Sequence, residues 1–379
     1  MKVVVTCAGT GGHINPGIAI ANILNRREKN CQILFIGTKT GLENDLVPKA
    51  GYDLKQIRAG RLQRRITLEN VKNMYNAYMG IADSKKILKD FKPDIVIGTG
   101  GYICASVMMA AKALKIPYIL HESNVFPGMA VKLGAKNAAK VLTGFEDTKK
   151  HLKYTENVVY TGTPAKFTRE DIENLDKYKC RKNLEFYNEN MEGKGLLFVT
   201  GGSQGAAKIN KTVIDMVLNK RPNNFYTVIA TGAANYDNVL QYVKEQDKQG
   251  DSFKFLNIQK FIYEMDKMYT AADLLITRAG AMTVTELGLS MRPAILVPLP
   301  TAAENHQYFN AKSVEDVGAG VVLEEKDLTE DTLYDNVMKI ILDGKKLKEM
   351  TQNAKAMYKG NVDGKIYDEI KSSILDIGT

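Results

Sequence analysis

The chain has 379 residues, 44% of them apolar and 25% charged, which fits two globular domains, each able to bury a core, and excludes a disordered or fibrous chain. Its four cysteines, Cys7, Cys31, Cys104 and Cys180, make no C-x-x-C pair and no regular spacing, so neither a disulfide framework nor a zinc site is indicated and a reducing cytoplasm is expected. Residues 1–163 hold 24 Lys and Arg against 12 Asp and Glu, and the remainder 28 against 31, so the positive excess lies wholly in the first half. Such an excess is either a plain basic surface or a face for an anionic partner, a membrane or a nucleic acid.

No basic-then-apolar leader opens the sequence; a strand begins at once. In chain order, strands are expected near 2–7, 32–36, 94–97, 117–121, 140–143 and 158–160, with helices near 16–28, 68–90, 103–114 and 127–137. The uncharged run Ile95 to Ala111 reaches only 17 residues and carries Gly98, Gly100 and Gly101, so it reads as strand, turn and helix, not as a membrane span. Turn residues at Thr161 to Pro164 and a charged stretch after them put a domain boundary near 163. Beyond it, strands are expected near 196–200, 226–230, 253–257, 273–277, 293–297 and 320–323, and the last fifty residues are helical in pattern. Strands alternating with helices argue for parallel sheets in an α/β architecture.

One pattern occurs twice, about 190 residues apart: an apolar run, a glycine-rich loop, then a helix. The first copy is KVVVTC followed by AGTGGH (Ala8 to His13), the second GLLFVT followed by GGSQGA (Gly201 to Ala206). Free N–H groups and the positive end of the helix dipole make such a turn a site for anions, above all phosphates. Two copies suggest two nucleotide-type domains facing each other across a cleft. The first loop is not G-x-G-x-x-G, no acidic residue follows the second strand, and no G-x-x-x-x-G-K-[ST] is present, which disfavours nicotinamide enzymes and P-loop NTPases.

Three of the four histidines sit in motif-like settings, His13 ending the first loop, His121 in HESN and His306 in ENHQ, which favours function over a purely structural role. HESN lacks the second histidine of H-E-x-x-H; Asn124 stands there instead and suits sugar hydroxyls. The loop GTGGY (Gly98 to Tyr102) is either a second approach for an anionic group or a tight turn before a helix. In TRAGAMTVTE (Thr277 to Glu286), Glu286 either accepts from the two hydroxyls of a ribose or makes a helix–helix contact.

Taken together, GTGGH, GTGGY, HESNVFPG, TGTP, GGSQGA, TRAGAMTVTE and ENHQYFNA, in that order over residues 3 to about 310, resemble the MurG family, the N-acetylglucosaminyltransferases of bacterial peptidoglycan synthesis. The resemblance implies the GT-B fold: two Rossmann-like parallel-sheet α/β domains, residues 1–163 for the lipid acceptor and membrane face and residues 164–379 for the donor, the last helices packing back on the first domain. It implies inverting transfer from UDP-N-acetylglucosamine to the C4 hydroxyl of the muramyl sugar of lipid I, giving lipid II, at the cytoplasmic face of the plasma membrane, with no cofactor and no nucleic acid, alongside other cell-wall synthesis proteins. Carried over, Thr10, Gly11 and Gly12 line the donor side, Asn124 holds the donor sugar, and Ser203 and Lys166 meet the phosphates. Ile262 meets uracil through its backbone; Ala281, Met282, Thr283, Val284 and Thr285 run along the nucleotide; Glu286 holds the ribose; and Gln307, with His306, binds sugar hydroxyls. The acceptor pyrophosphate falls to Gly100, Gly101 and Tyr102. Lys166 stands where many members have Arg, which keeps the charge but loses the bidentate fork.

An inverting transfer needs a base for the acceptor proton, and His13 has the right unperturbed pKa. The helix after GGSQGA can stabilise the leaving diphosphate without a metal, and no D-x-D string occurs. In the segment Arg61 to Lys86, Arg61, Arg64, Arg65, Lys85 and Lys86 mix with Leu68, Val71, Met74, Tyr75, Tyr78 and Met79; these apolar residues either pack the core or meet a membrane interface. The rivals are a non-enzymatic sugar-nucleotide subunit, a diacylglycerol glycosyltransferase and a UDP-N-acetylglucosamine 2-epimerase.

Overall fold

Apolar runs too short for helices pair in this chain as parallel strands, and the amphipathic segments between them cover the sheet faces. A computed structural model describes residues 1–60, 68–165, 167–201, 206–232, 234–302 and 305–375. The chain forms two compact units, residues 1–166 with 359–379, and residues 167–358.

Unit 1 runs β1 (Lys2–Thr6), α1 (Gly11–Arg27), β2 (Gln32–Gly37), α2 (Glu43–Lys49), β3 (Asp53–Gln56), α3 (Leu68–Phe91), β4 (Ile95–Gly98), α4 (Cys104–Ala113), β5 (Tyr118–Glu122), α5 (Met129–Gly134), β6 (Lys140–Thr143) and β7 (Val158–Tyr160). Its sheet has the order β3-β2-β1-β4-β5-β6-β7, every pair parallel. Because β1, β4 and β5 are covered on both faces, Val3, Val4, Val5, Ile95, Val96, Ile97 and Ile119 are fully buried. Each such side chain contributes about 1.5–3 kcal/mol by leaving water.

Unit 2 runs α6 (Arg169–Glu173), α7 (Lys177–Lys182), β8 (Gly195–Thr200), α8 (Ala207–Lys220), β9 (Phe225–Ala230), α9 (Tyr236–Gln246), β10 (Leu256–Gln259), α10 (Met265–Ala271), β11 (Leu274–Thr277), α11 (Ala281–Ser290), β12 (Ala294–Leu296), α12 (His306–Asp316), β13 (Gly320–Val322), α13 (Glu330–Ile341) and α14 (Gly344–Met357). The sheet order is β10-β9-β8-β11-β12-β13, again parallel. Then α15 (Val362–Leu375) returns to unit 1, where Lys371 Nζ and Tyr367 Oη both donate to Glu28 Oε1 and Arg26 pairs with Asp363 at 2.8 Å.

The structure departs from the sequence reading at several points. The first helix begins at Gly11, five residues before the position expected from Pro16, so the loop glycines are themselves its first turn. The expected strand 253–257 is a 3-10 turn at Ser252–Lys254 followed by β10, and the helix expected over 127–137 is α5 plus a 3-10 turn at Ala135–Asn137. Neither α2 nor β3 was read from the sequence, since DLKQ is a mostly exposed edge strand without an apolar run.

Candidate active site

In both sheets the strand order reverses between the first and fourth strands, β1 and β4 in unit 1, β8 and β11 in unit 2. Ligands of open α/β sheets bind outside the carboxyl ends of the strands at such a reversal. In unit 1 the two strands that flank it lead into GTGGH and GTGGY; in unit 2 they lead into GGSQGA and TRAGAM.

In unit 1 the two loops touch. Thr10 is the N-cap of α1, and Gly11, Gly12 and His13 form its first turn, so His13 rides on the helix instead of projecting from a free loop. Thr99 Oγ1 donates to the His13 carbonyl at 2.8 Å, tying the turn after β4 to α1. Gly100 (φ +117°) lies against the imidazole; a Cβ there would overlap the ring at Cδ2 and sit 3.0 Å from Nε2. His13 Nδ1 is 3.3 Å from the Ala8 carbonyl. A carbonyl only accepts, so Nδ1 carries the hydrogen and the lone pair of the neutral ring is on Nε2. Burial holds the imidazole below its usual pKa, the Ala8 carbonyl partly opposing, so it is neutral and able to accept a proton near pH 7. Tyr102, beside Gly101 on the same loop, is exposed.

The first loop is less open to anions than its glycines suggest. The Gly9 N–H already donates to Glu43 Oε2 at 3.2 Å, so an internal carboxylate stands where a phosphate oxygen would. Glu43, at the start of α2, is fully buried and was not singled out in the sequence.

His121 is a correction. It is fully buried within β5, Nε2 facing the Gly162 carbonyl and Nδ1 facing Ser123 Oγ, each at 3.3 Å. Burial pushes its pKa down to about 4, the Gly162 carbonyl partly opposing, and its role is to tie β5 to the turn after β7. Its neighbour Glu122 organises the HESNVFPG loop: Oε1 accepts from the Asn124 N–H and Nδ2 at 2.9 Å each, and Oε2 accepts from the Gly128 N–H at 2.8 Å. Asn124 is thus held with its amide oriented by Glu122, in the loop that follows β5, the strand next to β4.

In unit 2, Gly280 caps α11 without a side-chain bond, and Ala281, Met282, Thr283, Val284 and Thr285 are its first residues. Ala281 and Val284 face the core, Met282 and Thr283 are half-exposed, and Thr285 Oγ1 donates to the Ala281 carbonyl at 3.1 Å. Glu286 Oε2 accepts from Tyr269 Oη at 3.0 Å. Tyr269, on α10, is buried against Phe167 and Phe198, with ring centroids 5.9 and 6.1 Å away. The helix–helix contact considered for Glu286 therefore exists, and it orients the carboxylate. Ile262 is buried in the loop between β10 and α10, at the far edge of the sheet from α11, flanked by exposed Phe261 and Tyr263. Gln307, on α12, accepts from the Leu299 N–H through Oε1 at 3.0 Å; α12 is preceded by Asn305 in a left-handed conformation.

Lys166, Ser203, Arg61, Arg64 and Arg65 lie outside the described residues, as does the side chain of Leu68. Val71, Met74, Tyr75 and Tyr78 are each at least 60% exposed on one stripe of α3, so they are not core. Among the described residues no helix is long and apolar enough to cross a membrane, and no three His, Cys, Asp or Glu side chains gather as a metal site.

Residues 3–143 match the glycosyltransferase family 28 N-terminal domain and residues 196–363 its C-terminal domain. A UDP-N-acetylglucosamine--N-acetylmuramyl-(pentapeptide) pyrophosphoryl-undecaprenol N-acetylglucosamine transferase of Thermoanaerobacter sp. (strain X514) is 41% identical over 98% of this chain and 100% of its own. The transferase of the same name from Acetivibrio thermocellus is 38% identical over 98% of both. The crystal structure of Acinetobacter baumannii MurG superposes with a TM-score of 0.78 at 26% identity, covering 98% of this chain and 99% of that one. Two parallel-sheet units with glycine loops at both strand reversals, matched by both domains of one family and by relatives of full length, place the chain in glycosyltransferase family 28, among the MurG enzymes.

Proposed function

We propose that the protein transfers N-acetylglucosamine from UDP-N-acetylglucosamine to the C4 hydroxyl of the muramyl sugar of lipid I, with inversion, giving lipid II. Relatives of that name over the full chain support the substrates. Unit 1 takes the acceptor and unit 2 the donor. The observation that carries the chemistry is the His13 imidazole, neutral, backed by Gly100 and hydrogen-bonded at Nδ1, which leaves Nε2 as a proton acceptor. The C4 hydroxyl proton passes to Nε2 as its oxygen bonds to the anomeric carbon of the donor. The bond from that carbon to the diphosphate breaks, and its electron pair leaves with UDP.

Glu286, aimed by Tyr269, accepts from the ribose hydroxyls, and the start of α11 runs along the nucleotide. Oriented N–H groups at helix starts receive the departing diphosphate without a metal. The GTGGY loop, Gly100 to Tyr102, takes the acceptor pyrophosphate, and the first turn of α1 lies on the donor side. The exposed stripe Val71, Met74, Tyr75 and Tyr78, on the basic half of the chain, docks on the cytoplasmic face of the membrane that holds the lipid.

Incubation with labelled UDP-N-acetylglucosamine and a lipid I analogue tests the reading, the expected product being the disaccharide. Formation of UDP-N-acetylmannosamine without acceptor would instead identify an epimerase, and no turnover at all would leave a binding subunit.

A further inference from the structure

The peptide unit between Ala8 and Gly9 is engaged at both ends. Its carbonyl faces His13 Nδ1 at 3.3 Å, and its N–H donates to Glu43 Oε2 at 3.2 Å. We infer that Glu43 is a positioning residue for His13, acting through this one peptide bond: the carboxylate polarises the amide, the amide carbonyl becomes a stronger acceptor, and the hydrogen of the neutral imidazole is held on Nδ1. Hydrogen bonds in series strengthen one another, and water screens the effect less than in the open where, as here, both bonds are partly buried. The tautomer of a histidine is set by the partner of its other nitrogen, so holding hydrogen on Nδ1 keeps Nε2 as the free base.

Glu43 is built to do this and little else. It is fully buried, and its other oxygen, Oε1, accepts from the Thr38 N–H at 2.7 Å and from Thr38 Oγ1 at 2.6 Å. The Thr38 hydroxyl accepts in turn from the Gly41 N–H at 3.1 Å, so the carboxylate is anchored on one side and presents the other to Gly9. The fit is close: at Gly37 a Cβ would lie 3.3 Å from Glu43 Oε1. A buried carboxylate without donors would be costly, and here three donors converge on it, one of them the loop that carries the base.

The inference rests on the reading of His13 as the base, but its test does not. In protein labelled with 15N-histidine, four imidazoles are present, and His13 is assigned as the signal missing from His13→Ala. Above the pH at which the ring is protonated, wild-type His13 should show a protonated Nδ1 and an unprotonated Nε2, and the Gly9 amide should be shifted downfield and protected from exchange. In Glu43→Gln, which keeps the shape but can turn an N–H toward Gly9, hydrogen should move onto Nε2 in a measurable fraction of molecules. With it kcat should fall about tenfold or more, short of the 10²–10⁴ of losing the base, while donor affinity stays within twofold.

A wild-type His13 carrying hydrogen on Nε2, or a Gly9 amide in free exchange, overturns the relay without any variant. So does a folded Glu43→Gln protein whose His13 tautomer matches the wild type, whatever happens to kcat. A shifted tautomer with unchanged kcat leaves the relay standing and removes His13 from the chemistry.

Discussion

Tyr269 Oη donates to Glu286 Oε2 at 3.0 Å from a fully buried ring, so the carboxylate proposed to hold the donor ribose is aimed from beneath by a side chain 17 residues earlier. Burial, then the neighbouring Glu286, pushes the Tyr269 phenol well above its usual pKa, which keeps its hydrogen available to donate at any working pH.

Glu286→Ala should weaken UDP-N-acetylglucosamine binding about tenfold or more, at roughly 1.4 kcal/mol per decade, and abolish discrimination against the 2′-deoxy donor. Tyr269→Phe keeps the ring packing, removes one hydrogen bond of about 1 kcal/mol, and should raise the donor KM severalfold with kcat little changed. Titration calorimetry with both donors checks the pair; intact affinity and intact discrimination in Glu286→Ala would take the residue out of the site.

His13→Ala should lower kcat by about 10²–10⁴ with little change in donor affinity. Because burial depresses the imidazole pKa, the base stays unprotonated to lower pH than a free histidine, and the acid limb of kcat/KM should lie below pH 6.5. That limb should be missing from the variant. A change confined to KM would reassign His13 to binding, and loss of activity in EDTA that Mg²⁺ restores would overturn the metal-free route.

His121 gives a stability signature of a different kind. With a folded pKa of about 4 against 6.5 for the free group, the folded protein binds fewer protons than the unfolded chain between those values. The stabilisation from a neutral ring is therefore complete above about pH 6.5 and is lost as the pH falls toward 4, roughly 3 kcal/mol across the window. Urea midpoints of wild type and His121→Gln should converge on acidification; parallel curves would mean that the ring is already charged in the fold.

Replacing Val71, Met74, Tyr75 and Tyr78 together by Ser should cut binding to anionic vesicles by about two decades or more, since each apolar side chain contributes on the order of 1 kcal/mol. Turnover of a short-chain soluble acceptor should persist. Sedimentation and turnover on the same protein decide it, and unchanged vesicle binding would return this stripe to ordinary surface.

The glycine strings were legible because each spells out a backbone requirement within a few residues, and the alternation of strands and helices exposed both sheets. Residues that act across the sequence were not. Glu43 lies 34 positions from the amide it accepts, in a helix of seven residues that follows no apolar pattern. Tyr269 lies 17 positions from the carboxylate it meets, in no motif of its own. The helix expected near 16–28 starts earlier because the contacts of Thr99 with the His13 carbonyl and of Gly100 with its ring extend α1 back through two glycines of poor helix propensity. The strand near 253–257 was drawn too early because SFKF holds two aromatics, of which Phe253 is half exposed, while the paired segment is the less apolar LNIQ.

The return of α15 to unit 1 sets an order of events on the ribosome. Ile366 and Ile370 are fully buried there, and Glu28 near the end of α1 finds Tyr367 and Lys371 only in this last helix. Residues 167–358 of unit 2 are synthesised between the body of unit 1 and this helix, so the α1 face of unit 1 stays uncovered until synthesis has passed Ile370. A chain stopped before Val362 would thus keep the sequence of unit 2 whole and leave unit 1 without its cover over α1.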